Sequence, residues 1–282
     1  MKKIITLIIF LFISILSINA QCGIGYYYDF KNVTDLEKRD LKGKIEIVEF
    51  SHYEVNNSFG EISKGEKKCK QLVLFNMDGT VNKIIKYDSK GEIENIDIHE
   101  FENSQIRLIS HFDNKGILIS KTAFINEGKD IREQLFLADG NLNDQYFIRS
   151  YDLNGNMVKV TWKYHEEPRK SDVTQYYYDK NNRPIKYIRD GNDIFIISYK
   201  DNYSKIPLKM ERFDPKTKKN KIDRSYECNS QGSIIKRYDD GELSSIYEYV
   251  YDDKGNWIKQ IVFKTEAKIP YEIIERKINY FE

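Results

Sequence analysis

Four histidines, at positions 52, 99, 111 and 165, are the side chains of this 282-residue sequence best suited to metal or acid–base chemistry. None stands in a motif that supplies such chemistry. His99-Glu100 and His111-x-Asp113 could meet across a hairpin and hold a metal ion, although polar side chains beside turns fit the same spacing. The sequence contains no His-Glu-x-x-His helix, no paired-Cys metal motif, no Gly-rich phosphate loop after a strand and no Gly-x-Ser-x-Gly elbow, so no cofactor is implied. Aspartates are numerous enough to suggest an acid–base pair. However, Asp88, Asp113, Asp152 and Asp252 each occupy the same place in a repeated turn phrase, which already accounts for them. The residues therefore point to a protein that is not an enzyme. The alternative is a secreted hydrolase or toxin accessory with a loop-borne site near His165 or Asp214.

Aromatic residues offer a second kind of chemistry. They make up 13% of the chain, with 21 Tyr and 2 Trp. Trp162, Tyr164, Tyr176, Tyr178 and Trp257 are candidates for a surface that stacks on sugar rings, because aromatic faces suit apolar C–H surfaces and Tyr hydroxyls bond sugar oxygens. In Tyr176-Tyr177-Tyr178 only the outer two share a strand face. Cross-strand packing that holds a sheet together explains the same residues. Of the cysteines, Cys22 lies near the start, and Cys69 with Cys228 is the pair available for a disulfide. Spacing alone favours two separate thiols.

These residues are positioned by a phrase that recurs along the chain, an aromatic residue, then Asp, two variable residues and Gly. It reads Tyr87-Asp88-Ser-Lys-Gly91, Phe112-Asp113-Asn-Lys-Gly116, Tyr151-Asp152-Leu-Asn-Gly155 and Tyr251-Asp252-Asp-Lys-Gly255. Asp can bond backbone amides two residues ahead, and Gly can take positive φ, which suits a type I turn followed by a left-handed residue. Weaker copies stand at Met77-Asp78-Gly79, Ala138-Asp139-Gly140, Tyr178-Asp179-Lys-Asn-Asn182, Arg189-Asp190-Gly191, Asn229-Ser-Gln-Gly232 and Asp239-Asp240-Gly241. Between the turns hydrophobicity alternates with period two, as in Val158, Val160, Trp162 and Tyr164 against Lys159, Thr161 and Lys163. The pattern predicts an all-β fold, an antiparallel meander of repeated hairpins forming a strip that is open or rolled, with at most one short helix near the N-terminus. An outer-membrane barrel is disfavoured by this pattern. Lys259 reads on one face with Trp257, Ile261 and Phe263, and Glu248 interrupts Ile246 and Val250, whereas a lipid-facing strand needs an uninterrupted apolar face.

Met1-Lys2-Lys3, the apolar run Ile4 to Leu16 and Ser17-Ile18-Asn19-Ala20 have the pattern of a secretory signal peptide. Residues 1–20 are thus expected to be removed, 21–70 to form an N-terminal segment with the first strands, and 71–282 to form the hairpin-repeat domain. Thr34 to Glu37 offers a capping box for one short helix. A lipoprotein anchored at Cys22 is argued against by Gln21, where cleavage wants a small residue, and no later segment is apolar enough to span a bilayer. Without Lys2 and Lys3 the chain has 43 basic against 44 acidic side chains, a balance that gives no footprint for nucleic acid.

The turn phrase resembles the YD repeats of Rhs-type bacterial secreted and surface proteins, most clearly in Tyr151-Asp152-Leu-Asn-Gly155-Asn156 and Tyr251-Asp252-Asp-Lys-Gly255-Asn256, followed by Val158-Lys159 and Ile258-Lys259. The resemblance covers roughly Leu72 to Phe263. It implies hairpins winding into a strip or shell, linked in that family with carbohydrate binding or with enclosing a toxin, and no catalytic residues within the repeats. No toxin segment is expected within these residues. Together these readings predict an exported binding or structural module of the periplasm, cell surface or extracellular space, with a glycan or another envelope protein as partner.

Overall fold

A computed structural model describes residues 35–39, 41–103, 105–165, 171–201, 207–264 and 267–282. Residues 1–20, expected to be a signal peptide, and Cys22 and Thr34 lie outside these residues. One helical turn, α1 (Asp35–Lys38), precedes eighteen strands. The first nine are β1 (Ile45–Ser58), β2 (Glu61–Phe75), β3 (Val81–Tyr87), β4 (Ile93–Glu102), β5 (Gln105–Asp113), β6 (Leu118–Glu127), β7 (Asp130–Leu137), β8 (Leu142–Tyr151) and β9 (Met157–Tyr164). The rest are β10 (Asp172–Tyr178), β11 (Pro184–Arg189), β12 (Asp193–Ser198), β13 (Lys209–Asp214), β14 (Lys219–Cys228), β15 (Ile234–Asp239), β16 (Glu242–Tyr251), β17 (Trp257–Lys264) and β18 (Ile269–Tyr280).

The repeated phrase folds into one kind of hairpin. Asp88 Oδ1 accepts the N–H groups of Lys90 and Glu92, both at 2.9 Å, while Gly91 at φ 85° donates its N–H to the Asp88 carbonyl. Asp113, Asp152, Asp179 and Asp252 repeat the two side-chain bonds, and Asn229 substitutes for Asp in the same geometry. Asn182 takes the left-handed place of Gly at φ 59°, a conformation Asn tolerates better than most side chains. Next to each turn the ladder slips by one residue. Phe75 pairs with Val81, Tyr87 with Ile93, Phe112 with Leu118, Tyr151 with Met157, Tyr178 with Pro184, Cys228 with Ile234 and Tyr251 with Trp257. Such bulges increase twist and bend the strand.

The chain closes on itself. β1 pairs antiparallel with both β2 and β18, and β9 pairs with β10, so every strand has two hydrogen-bonded neighbours. This overturns the expected strip. The sheet has no edge, because the bulged hairpins coil it far enough for Ile45 to Tyr53 to meet Ile273 to Tyr280. β2 runs without interruption through the 70/71 position, and all strands belong to one sheet.

Pairing also assigns the faces. Val250 pairs with Lys259 while the next residue, Tyr251, pairs with Trp257. Trp257 and Lys259 therefore lie on opposite faces, and the sequence alternation that joined them is corrected by a bulge. The face carrying Trp257, Tyr249, Phe50 and Arg276 holds most of the ring contacts and the tyrosines whose hydroxyls burial drives upward, including Tyr176, Tyr187 and Tyr249. In a closed barrel side chains converge inside and splay outside, so this is the inner face.

Turns joining β2–β3, β8–β9, β10–β11, β14–β15 and β16–β17 lie at one end of the barrel, the base, and those joining β3–β4, β5–β6 and β7–β8 at the mouth. The residue after the turn is buried at the base, as for Val81, Met157, Pro184, Ile234 and Trp257, but Ile93, Leu118 and Leu142 at the mouth are not. The reason is chirality. A rotation that carries a mouth turn onto a base turn while preserving the direction of chain progress exchanges the two faces, so one handed turn points its flanking residues out at one end and in at the other. Leu36 and Leu41 pack on Ile45, Val48, Phe50, Val73, Phe75, Val81 and Ile84 at the base, forming the main core cluster. Further buried residues, among them Ile197, Tyr226, Phe263 and Ile273, stand on β12, β14, β17 and β18. Across β4 to β8 only Ser110 and Gln134 are buried, which fits eighteen strands enclosing more space than their side chains fill.

Candidate functional site: an aromatic inner wall

Alternation and register place three aromatic groups on the inner face. Phe147 lies 5.1 Å from Trp162, which stacks with Tyr164 at 6.3 Å. Tyr176, Tyr187 and Phe195 form a ladder across β10, β11 and β12, with centroids at 5.9 Å and 4.4 Å and the last pair 12° from parallel. Burial, ahead of all charge effects, pushes the Tyr187 hydroxyl up to about 12. The third group joins Tyr249 to Tyr251 at 5.8 Å and to Trp257 at 6.1 Å, edge to face. Arginines accompany them. Arg149 forms a fork on Glu133 at 2.6 and 2.9 Å, Arg212 bonds Asp193 at 2.7 Å and covers Phe195, and Arg276 lies 3.4 Å from the Trp257 ring centroid with Phe50 at 5.0 Å. Planar guanidinium groups beside aromatic faces suit ligands that combine flat apolar surface with hydroxyl or carboxyl oxygens.

Of the residues proposed from sequence, Trp162, Tyr164, Tyr176 and Tyr178 share the β9–β10 sector, and Trp257 stands apart on β17. Tyr178 has a structural bond, its hydroxyl donating to the Met157 carbonyl at 2.7 Å. Tyr199 and Tyr249 donate likewise to Pro184 and Ile234, at 3.0 and 2.8 Å, which fastens the base. Phe147, Tyr187, Phe195 and the arginines were not singled out from sequence. Phe195 had a usable signal in the alternation of Phe195 and Ile197, but its partners depend on register.

The histidines meet other groups than the expected ones. His111 bonds Asp97 at 2.8 Å and Thr122 at 3.1 Å, while Asp113 is engaged in its turn. Burial, ahead of the neighbouring charges, lowers His99 from its ordinary value. His165 bonds Gln134 at 2.9 Å, and Asp214 accepts from Lys216 N–H and Thr217 Oγ1 in a tight turn. Among the described residues no three His, Cys, Asp or Glu side chains group as metal ligands. Cys69 stands on β2 and Cys228 at the end of β14, strands that are not neighbours in the sheet.

No protein-family model matches this chain, and no curated protein does. Among solved structures, a porin-like protein from Bacteroides uniformis is similar with a TM-score of 0.44 and 9% identity, over 83% of this chain and 98% of that one. The Tc holotoxin pore of Photorhabdus luminescens gives 0.31 and 11% identity over 74% of this chain, which spans 16% of that one. A DUF1329 family protein from Desulfovibrio piger gives 0.22 and 9%, over 84% of this chain and 86% of that one. Likeness at these scores transfers no chemistry.

Proposed function

We propose that this chain is an exported, noncatalytic barrel of the bacterial cell envelope whose inner aromatic wall binds an oligosaccharide. The observation that carries this reading is the Tyr176–Tyr187–Phe195 ladder beside Phe147, Trp162 and Tyr164 on one inner sector. Such a row presents ring edges, Tyr hydroxyls and the outer faces of its end rings to a chain of sugar rings, and Arg149 with Glu133 supplies polar groups nearby. Export is supported by the basic-apolar-small pattern of residues 1–20, and the YD-repeat resemblance of the turn phrase agrees with both parts of the proposal. The hydrolase alternative gains nothing, because His165 is bonded to Gln134 on β7 and Asp214 is engaged within its own turn.

The 2 tryptophans both lie on the inner face, so their fluorescence reports the wall directly. A glycan array should yield binders that quench this signal, and Tyr164→Ala should weaken the same binders at least ten-fold, the loss of one stacked contact of about 1.4 kcal/mol or more. Silence on the array together with unchanged fluorescence in envelope polysaccharide extracts would overturn the carbohydrate reading.

A further inference from the structure

Arginine and lysine divide between the two faces of the sheet. The register that sets Trp162, Tyr187 and Phe195 inward sets Arg149, Arg189, Arg212, Arg224, Arg237 and Arg276 inward as well. Lys83, Lys121, Lys159, Lys163, Lys186 and Lys259 point outward. Arg132 outward, with Lys86, Lys221 and Lys264 inward, departs from the rule. Lysine is a strongly hydrated point charge that suits a wet outer surface, whereas the guanidinium group is weakly hydrated, planar and matched to the fork of a carboxylate. Solubility alone gives no reason to turn arginine inward.

Arg189, Arg212, Arg224 and Arg237 gather on β11 to β15, whereas β4 and β7 turn Asp97 and Glu133 inward. Arg212 donates to Asp193 at 2.7 Å, and Arg189 stands opposite Asp193 in the ladder. Asp239 Oδ1 accepts from Arg224 Nε at 3.2 Å and from Arg237 Nε at 3.0 Å. Asp223 also lies near Arg212, and Asp240 is taken by Lys221 at 2.9 Å. Each guanidinium carries more N–H donors than a shared carboxylate can accept, and the side chains of Arg212, Arg224 and Arg237 are 53%, 37% and 31% exposed, within reach of a ligand in the lumen. The arginines continue the aromatic ladder, since Arg212 lies 5.6 Å from the Phe195 ring centroid. Asp193 on β12 and Asp239 on β15 are three strands apart, about 14 Å around the wall, so a ligand that meets both arginine pairs carries more than one anionic group. We propose that the bound oligosaccharide is acidic, with successive sugar carboxylates held by Arg189 with Arg212 and by Arg224 with Arg237; this rests on the oligosaccharide reading above and names its substrate class.

The test titrates the tryptophan fluorescence of the full chain with tetramers of galacturonate, mannuronate and guluronate, each beside its methyl ester, in about 0.05 M salt, where exposed charges are little screened. The ester keeps the sugar rings and removes the charge, so at least one acid should bind about ten-fold tighter than its ester. Arg212→Gln and Arg237→Gln should each lower that acid's affinity about ten-fold and leave its ester unaffected, with circular dichroism unchanged. Asp193→Asn should raise the acid's affinity, because it releases Arg189 and Arg212 for the ligand, whereas a merely structural ion pair would give a loss. Esters bound as tightly as their acids, or a loss in Asp193→Asn, overturn the acidic assignment and leave the oligosaccharide reading in place. Acids weakened by the arginine substitutions but not by Tyr164→Ala uphold the arginine site and overturn stacking on the aromatic wall. No binding of any tetramer overturns both.

Discussion

Tyr280→Phe removes a single hydroxyl at the point where the last strand, the β16–β17 turn and the N-terminal segment meet. That hydroxyl donates to Asp252 Oδ2 at 2.6 Å and accepts from Asn256 Nδ2 at 2.8 Å. Asn256 in turn accepts from the Lys42 N–H at 2.7 Å and donates to the Lys42 carbonyl at 3.0 Å. The ring stays in place, so no cavity forms and only hydrogen bonding changes. A bond to a charged acceptor contributes about 1.5–3 kcal/mol and a neutral one about 0.5–1.5. Both residues are only half-buried, which favours the lower ends and a loss of about 2 kcal/mol. Burial opposes ionisation of Asp252, but the Tyr280 hydroxyl and the amides of Asn256 and Lys254 outweigh it and hold the carboxyl below the ordinary range. Its contribution is thus complete above the unfolded carboxylate range and is lost as pH falls through the lower folded value. Burial, and then the bond to Asp252, pushes Tyr280 up to about 12, so that contribution is complete below the ordinary phenol value and is lost as pH rises toward 12. Urea unfolding followed by circular dichroism should show the variant's midpoint lowered by about 0.5 M at pH 7. The gap should shrink at pH 3 and again above pH 11. A gap of the same size at pH 3 and pH 7, or none at pH 7, would refute the role given to this hydroxyl.

Closure is tested by Glu49→Cys with Lys277→Cys in a background lacking Cys22, Cys69 and Cys228, because these positions are direct neighbours across β1 and β18. Oxidation should yield an intramolecular disulfide, and an open strip would yield none. Gly91→Ala should lower stability by about 1–2 kcal/mol through backbone strain alone, since Gly91 has φ 85° and nothing within 4 Å of an added Cβ; calorimetry showing no loss would contradict the left-handed turn. Trp257→Ala should lower it by about 3–5 kcal/mol, because the side chain is 8% exposed and packs on Tyr249 and Arg276. A loss below 1 kcal/mol in urea unfolding would place Trp257 on the outer face instead.

What the sequence determined by itself is local. Each turn is closed by hydrogen bonds spanning four residues or fewer, so Asp88 and Gly91 announce their geometry without any partner elsewhere. Period-two alternation likewise separates Tyr247, Tyr249 and Tyr251 from Ile246, Glu248 and Val250, as the pairing confirms. Only the tertiary structure decided which face Trp257 joins, because the slip beside its turn inverts the alternation, and which end of the barrel buries its turn-flanking residues. Closure is the largest of these decisions. No local pattern in Ile45 to Tyr53 names Ile273 to Tyr280 as its neighbour; that pairing follows from the accumulated coil of the hairpins between them. The same closure joins His52 to Glu272 across 220 positions of sequence, a contact that no spacing rule along the chain could reach.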